Sequence, residues 1–483
     1  MINLGEWLQE ATVRQIAQAM DRKDLSAYEL TLFYLDRIAR LNTQGPMINA
    51  VLEINPDALA MAEGLDRERQ KNGARSLLHG IPVLLKDNIQ TGDNMHTSAG
   101  SLSLRTWYAP RDAHLVHRLR NAGAIIIGKA NMTEWANFMS DTMPNGYSSR
   151  GGQVKNPYGP DHFDTGGSSS GSGAALAALF AQLAVGTETS GSILSPASSN
   201  SVVGLKPTLG LVSRSGIIPL AHSQDTAGPM ARTVEDVALM LSVMAGSDPA
   251  DPATLAVDDF VVDYTSSLKK DGLQGVRLGI ARPEYYDELT SEQLFLMEQA
   301  IKDLKQAGAV IIDPVSVPMT EDIADYIVLK YEFKADVNAF LSSLGPTSPV
   351  HSLADVIAYN EAHHDIALLY GQSILLESEQ TSGTLTESEY LQARAKDLKV
   401  SREEGIDAVL AKYDLEAIVF PANYGAAIGA KAGYPSICVP GGYTKDGEPL
   451  GVTFTAGAFS EANLLRYAYA YETVSKQRIS PNF

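Results

Sequence analysis

Serine and glycine crowd the stretch from Gly166 to Gly210, GGSSSGSGAALAALFAQLAVGTETSGSILSPASSNSVVGLKPTLG, and the chain's densest chemistry lies there. Several short motifs can be tested against it. A phosphate loop needs a lysine after its second glycine, and Gly166 and Gly171 have the right spacing, but Ser172 stands in the lysine position. A dinucleotide fingerprint begins at Gly171 and Gly173 and fails at Leu176, where a third glycine is needed. Gly167 to Gly171 fits the nucleophile elbow G-x-S-x-G around Ser169, a pattern that requires a downstream acid and a histidine on a hydrolase fold. Ser266 and Lys269 fit S-x-x-K without the elements that accompany it, which marks a chance match. A second small-residue turn, Gly186 to Ser192, follows the strand-like Leu183 to Val185. Two such turns joined by a buried helix would bring serine hydroxyls and backbone N–H groups together, and N–H groups exposed in a tight turn can hold an oxyanion. The plain alternative is a Gly/Ser loop ahead of a core helix, with each serine bonding its own backbone.

The segments GGSSSGSG (Gly166 to Gly173), GTETSGSI (Gly186 to Ile193), GLKPTLGLVSRSGIIPL (Gly204 to Leu220), SQDTAGPMAR (ending at Arg232) and HGIPVLLKDNI (His79 to Ile89) together resemble the amidase signature family of serine hydrolases. The likeness extends loosely from the N-terminal helices to AGYPS (Ala432 to Ser436) and AYAYE (Ala468 to Glu472), covering nearly the whole chain. Within the family it is most similar to the bacterial peptide amidases, through the SQDTAGPMAR region, TSAGSL (Thr97 to Leu102) and EWANF (Glu134 to Phe138). The resemblance implies a Ser–cis-Ser–Lys triad with Ser192 as nucleophile, Ser168 as the cis-serine and Lys86 as base, and an oxyanion hole from the backbone of Thr189, Ser190, Gly191 and Ser192. Ser169 then either supports Lys86 by a hydrogen bond or is only a turn residue. Asp225 and Arg232 are expected to hold core loops. Spacing alone would never pair Lys86 with a distant serine, yet the chemistry is sound. A serine hydroxyl needs something to take its proton, and a lysine can do so once a dry site lowers its pKa. The apolar run Ile81 to Leu85 before Lys86 suggests such a site, and the N-terminus of the helix after Ser168 adds positive potential.

Two departures from the common family pattern concern the pocket. Ser190 precedes Gly191 where many members have two glycines, and Leu194 fills a position that is often arginine, although peptide amidases also lack that arginine. The segment from Pro421 to Ala432 is shorter than a peptide amidase would suggest. The implied function is hydrolysis of primary carboxamides, C-terminal peptide or amino-acid amides, with no metal and no organic cofactor. Trp135, Phe138, Met139 and the Pro421 to Ala432 loop are expected to line an apolar cleft for the acyl group. The competing readings are the ammonia-producing component of a glutamine-dependent amidotransferase and a non-catalytic binding protein on the same fold.

The elements that must hold these residues follow from periodicity. Ser26 and Glu29 fit a capping box, after which Leu30, Phe33, Tyr34 and Ile38 recur at helical spacing. Short apolar runs at Ile81 to Leu85, Ala124 to Ile127 and Ile418 to Phe420 read as buried strands, and Ala113 to Ala122 and Thr233 to Ala245 as helices. This alternation predicts an α/β fold, one large domain with a mixed central β-sheet covered by helices on both faces. Its parts are an N-terminal helical layer over about residues 1–70, a catalytic core over about 71–245 and a C-terminal part over about 246–483, with Gly246 to Pro252 as a loop inside the domain. Ala174 to Val185, the longest nearly apolar stretch, is too short to span a bilayer and reads as a core helix.

Composition narrows the partners. The chain has 483 residues and 45% hydrophobic content, enough for a large core and too much for a disordered tail. Its 38 Lys and Arg against 57 Asp and Glu leave a net charge of −19, which repels nucleic acid and anionic membranes. A single cysteine, Cys438, excludes a disulfide framework and Cys-based zinc sites and points to a reducing compartment. The start, MINLGEWLQEATVRQ, lacks the basic and apolar regions of a secretory signal, so the expected location is cytoplasmic. His114 with His117, and His363, His364 with Asp365, are the histidine clusters, and neither has a metal-binding pattern.

Overall fold

The computed structural model describes residues 4–483. The apolar runs form an eleven-stranded mixed sheet. In chain order its strands are β1 (Val51–Ile54), β2 (Pro82–Lys86), β3 (Ile125–Ala130), β4 (Leu183–Glu188), β5 (Val203–Lys206), β6 (Thr226–Ala231), β7 (Arg277–Ala281), β8 (Val310–Val315), β9 (Ala417–Pro421), β10 (Ser436–Tyr443) and β11 (Pro449–Thr455). Across the sheet they run β1-β3-β2-β4-β6-β5-β10-β11-β9-β7-β8. Strand β2 lies parallel to both β3 and β4, and β7 lies parallel to β8 and β9; the other pairs are antiparallel. Every residue of β2, β3, β4 and β6 is buried, as expected where helices flank the sheet.

The first helical layer folds as its pattern predicts. Ser26 and Glu29 exchange both bonds of a capping box ahead of the helix Ala27–Leu41, which buries Leu30, Tyr34 and Ile38. The stretch Ala174 to Val185 departs from the single core helix expected of it. The helix Ser170–Ala177 stops when Leu179 turns to a positive φ of 61°, Phe180 N donates back to Ala175 O, and the chain re-enters the sheet as β4. Uniform apolarity hides such a boundary, because a buried helix and a buried strand share one composition.

Two apolar clusters hold the molecule. The larger one includes residues from Leu8 to Tyr471 and contains the buried sheet. The smaller joins Ala99, Leu104 and Trp107 to the segment around Trp135 and to Phe333, Val337 and Leu375. Its helices, Ile327–Ser342, Leu353–Ala362 and Ser373–Glu379, stand outside the strand sequence. Among the described residues no helix is long and apolar enough to cross a membrane.

Candidate active site

Parallel pairing sets Val83, Leu84 and Leu85 of β2 beside Leu183, Ala184 and Val185 of β4, so Lys86 emerges next to Thr187 at the carboxyl ends of two central strands. That edge of an α/β sheet is where ligands bind most often. Lys86 has no exposed surface. Its Nζ lies 2.8 Å from Ser168 Oγ, 2.8 Å from Thr187 Oγ1 and 3.0 Å from Thr187 O. All three partners are neutral oxygens. Burial lowers the lysine pKa to about 7, against the opposing pull of the Asp225 and Glu188 carboxylates. The adjacent Asp87 does not pair with it: alternation along the strand sends Asp87 to Arg150, 3.2 Å away, and to the amide of Gly100.

The peptide bond between Gly167 and Ser168 is cis. Ser168 O accepts a bond from Thr133 N at 3.1 Å, and Ser169 N donates to Ser192 O at 3.0 Å, so the two serine-bearing turns are tied to each other through their backbones. No hydrogen bond links the hydroxyls of Ser168 and Ser192 among the described residues. Ser169 makes no hydrogen bond to Lys86 among the described residues. Its hydroxyl donates to Thr187 O at 3.0 Å and accepts from Thr187 N at 3.2 Å, fixing the residue that Lys86 bonds.

The turn after β4 is held from three sides. Glu188, buried, accepts from the N–H of Ile193 at 2.6 Å and of Leu194 at 3.0 Å. Asp225 accepts from Thr189 Oγ1 at 2.5 Å and, through its other oxygen, from the N–H of Leu220 and Ala221. Gln224 Nε2 donates to Thr189 O at 3.2 Å. Gly191 sits at φ +84° with Asn423 and Ala426 3.4 Å from where a Cβ would stand, a conformation that a side chain would strain. The N–H groups of Thr189, Ser190, Gly191 and Ser192 meet no protein acceptor among the described residues, which leaves them free for a substrate oxygen.

A cleft of about 520 Å³ reaches this turn. Asn88, Thr187, Thr189 and Asp225 belong to its wall, together with the apolar Ile217, Ile218 and Leu220. Ser168 and Ser192 are outside that wall, Ser192 being 6% exposed on the turn that Thr189 begins. The expected acyl-binding aromatics lie elsewhere. Trp135, Phe138 and Met139 are buried in the smaller apolar cluster, where Trp135 meets Phe333 edge-on at 6.2 Å, and Ala136 between them faces the cleft. The Pro421 to Ala432 segment does reach the site, through Asn423 and Ala426 beside Gly191.

Sequence reasoning missed Thr187, Glu188 and Asn88. Thr187 and Glu188 lie inside the GTETSGSI segment and carried no motif of their own, while Asn88 follows Lys86 at the next position but one. Arg232 holds core carbonyls, as expected, bonding Ala181 O at 2.9 Å. The histidine clusters named above stay apart from the cleft: His114 pairs with Asp248, and His364 with Asp365 at the surface. A third cluster, invisible in sequence, brings His222, Glu332 and Asp336 within reach of one another at the rim. His222 Nδ1 lies 2.9 Å from Asp336 and Nε2 3.5 Å from Glu332. The Asp336 bond holds the imidazole pKa above its usual value, which favours the charged ring beside these carboxylates.

A buried lysine touching a serine, at the carboxyl edge of a mixed sheet and beside a turn of free N–H groups, is the arrangement of an acyl-transfer hydrolase. The chain belongs to the amidase family: the family model described as Amidase matches residues 29–465. The structure of native peptide amidase from Stenotrophomonas maltophilia superposes with a TM-score of 0.93 at 45% identity, covering 98% of this chain and 99% of that one. A probable amidase of Arabidopsis thaliana is 42% identical over 99% of this chain and 92% of its own length. A component of the glutamyl-tRNA(Gln) amidotransferase of Pseudomonas aeruginosa is 35% identical over 97% of this chain and 98% of its own. The protein is therefore a hydrolase acting on amide C–N bonds.

Proposed function

We propose that this amidase releases ammonia from primary carboxamides, C-terminal amides of peptides and amides of single amino acids, through an acyl-enzyme on Ser192. The observation that carries the reading is the contact of a fully buried, pKa-lowered Lys86 with Ser168 Oγ at 2.8 Å. Neutral Lys86 takes the proton of Ser168 as Ser168 takes that of Ser192, and Ser192 Oγ attacks the carbonyl carbon. The oxyanion that forms is received by the N–H groups of Thr189, Ser190, Gly191 and Ser192. The proton returns through Ser168 to the departing nitrogen, and water then repeats the attack on the acyl-enzyme.

The apolar wall of Ile217, Ile218 and Leu220 suits a hydrophobic acyl group. Arg214 at the rim is occupied by Asp251, at 2.5 Å and 2.9 Å, so it offers little to an anionic substrate, and the net charge of −19 works the same way. Neutral and cationic amides are the expected substrates. The cytoplasm is the setting this reading assumes, in keeping with a lone, buried Cys438. The amidotransferase reading draws on the 35% identity to the Pseudomonas aeruginosa component; it is weaker, since the peptide amidase match is stronger over an equal share of the chain.

The test is an amidated peptide incubated with the protein and with Ser192→Ala, reading ammonia and peptide fragments. Ammonia with the peptide chain intact is expected from the native protein, and a fall of at least about 10⁴-fold from the variant. Internal cleavage, or activity confined to glutamine, would refute the reading.

A further inference from the structure

Asn88 presents an unused acceptor beside Thr187, the residue that Lys86 bonds. Its side chain is 3% exposed and belongs to the cleft wall. Its Nδ2 donates to Thr187 Oγ1 at 3.0 Å, and that same oxygen accepts from Lys86 Nζ at 2.8 Å. Its Oδ1 is buried and has no partner. A buried amide oxygen left unpaired is costly, and in a ligand-binding cleft the missing donor is most simply supplied by the ligand. The neighbours say which part of the ligand. Lys86 joins Asn88 through Thr187 on one side and Ser168 on the other, so Asn88 stands two hydrogen bonds from Lys86 and three from Ser168, which hands a proton to the departing nitrogen. The carboxylate of Asp225 in this wall already has both oxygens occupied by Thr189, Leu220 and Ala221.

We propose that Asn88 Oδ1 accepts a hydrogen bond from the leaving –NH₂ of the carboxamide, and so selects primary amides over substrates whose leaving group has no N–H. This rests on the assignment of Ser192 and Lys86 above and adds a specificity residue to it. An ester of the same acid leaves Oδ1 unpaired and gains nothing from it. A site built to satisfy a polar group discriminates strongly against an analogue that lacks it.

The test compares N-acetyl-phenylalaninamide with N-acetyl-phenylalanine methyl ester, which share one acyl group, in the native protein, Asn88→Ala and Asn88→Asp. Labelling of Ser192 by a fluorophosphonate, whose fluoride leaving group carries no N–H, is followed in parallel. Asn88→Ala is expected to lower kcat/KM for the amide about 30-fold, with the ester and the labelling rate changed less than about 3-fold. Asn88→Asp keeps an acceptor oxygen in nearly the same shape; it slows both substrates by holding Lys86 protonated but preserves the amide-to-ester ratio. An Ala variant with an unchanged ratio, or one that loses amide, ester and labelling together, would overturn the proposal, as would an Asp variant whose ratio collapses like that of Ala. A native protein that neither labels at Ser192 nor turns over either substrate would instead overturn the underlying triad, and this proposal with it.

Discussion

As the proposed base, Lys86 must be uncharged near neutral pH, and its surroundings decide that. With a pKa of about 7, the fraction of neutral lysine rises through pH 7, and kcat/KM for an amide should rise with the same midpoint. Lys86→Arg should be inactive, because guanidinium keeps its proton at any working pH. Asp225 favours the charged lysine, so Asp225→Ala should move the midpoint of the pH profile downward as well as lowering kcat about tenfold by freeing Thr189. A residue that only held a loop would leave the midpoint in place. Stability changes with pH in the same sense as activity, over a higher interval. The unfolded chain holds the lysine proton up to a pKa of roughly 10.4, so this group makes the fold lose stability as pH falls from about 10 to about 7, and nothing further below that. Lys86→Met should consequently abolish turnover and raise Tm by a few degrees in a thermal melt at pH 7.

The elements around these residues divide into those that aim and those that fill. Ser169 aims: with its hydroxyl on both backbone groups of Thr187, Ser169→Ala should cost about tenfold in activity, far less than Ser192→Ala, and the opposite ranking would relocate the nucleophile. Trp135 fills. It is 2% exposed against Phe333, so Trp135→Ala should destabilise the fold by about 3–5 kcal/mol through the cavity it leaves, with KM for a small amide nearly unchanged. Sequence could bring Ser168, Ser192 and Lys86 forward as candidates because their surrounding motifs are dense and specific, and the structure joins Lys86 to Ser168. It could not place Trp135, since an aromatic in a core and one lining a cleft have the same neighbours in sequence. The strand β2 was legible from its apolar run and its polar end; the strand-like Leu183 to Val185 was legible too, but the break at Leu179 was not, because nothing in a nearly apolar stretch marks where the backbone turns. Glu188 escaped for a related reason: it acts across space on a turn whose shape had to be known first, whereas Asp225 holds the loops around Thr189 and Leu220 in keeping with the sequence.

Across the whole molecule, buried carboxyls pull stability toward acid, four of them strongly. Burial raises Glu134 to about 7, Glu472 to about 8, and Asp225 and Asp236 each to about 6, above the value near 4 of an unfolded chain. The folded state therefore binds protons that the unfolded state releases, and stability should grow as pH falls from about 7 to about 5.5. The drop in negative charge from −19 acts in the same direction. A melt should show Tm rising over the interval in which amide turnover declines; a Tm that falls with it would contradict the protonation of these four groups. The overall architecture was readable in advance from alternating strands and helices, whereas the smaller apolar cluster was not, because it gathers residues from Ala99 to Leu375 that no periodicity connects. That cluster has an evolutionary consequence. Lys86 ends β2, Ser192 follows β4 and Ser168 precedes the helix Ser170–Ala177, while the helix Ile327–Ser342 brings Asp336 and Ala339 to the cleft wall from a core of its own. Mutations that remodel that helix leave the reacting groups untouched, so substrate range can diverge between lineages, or under laboratory selection, while the bond being cut stays the same.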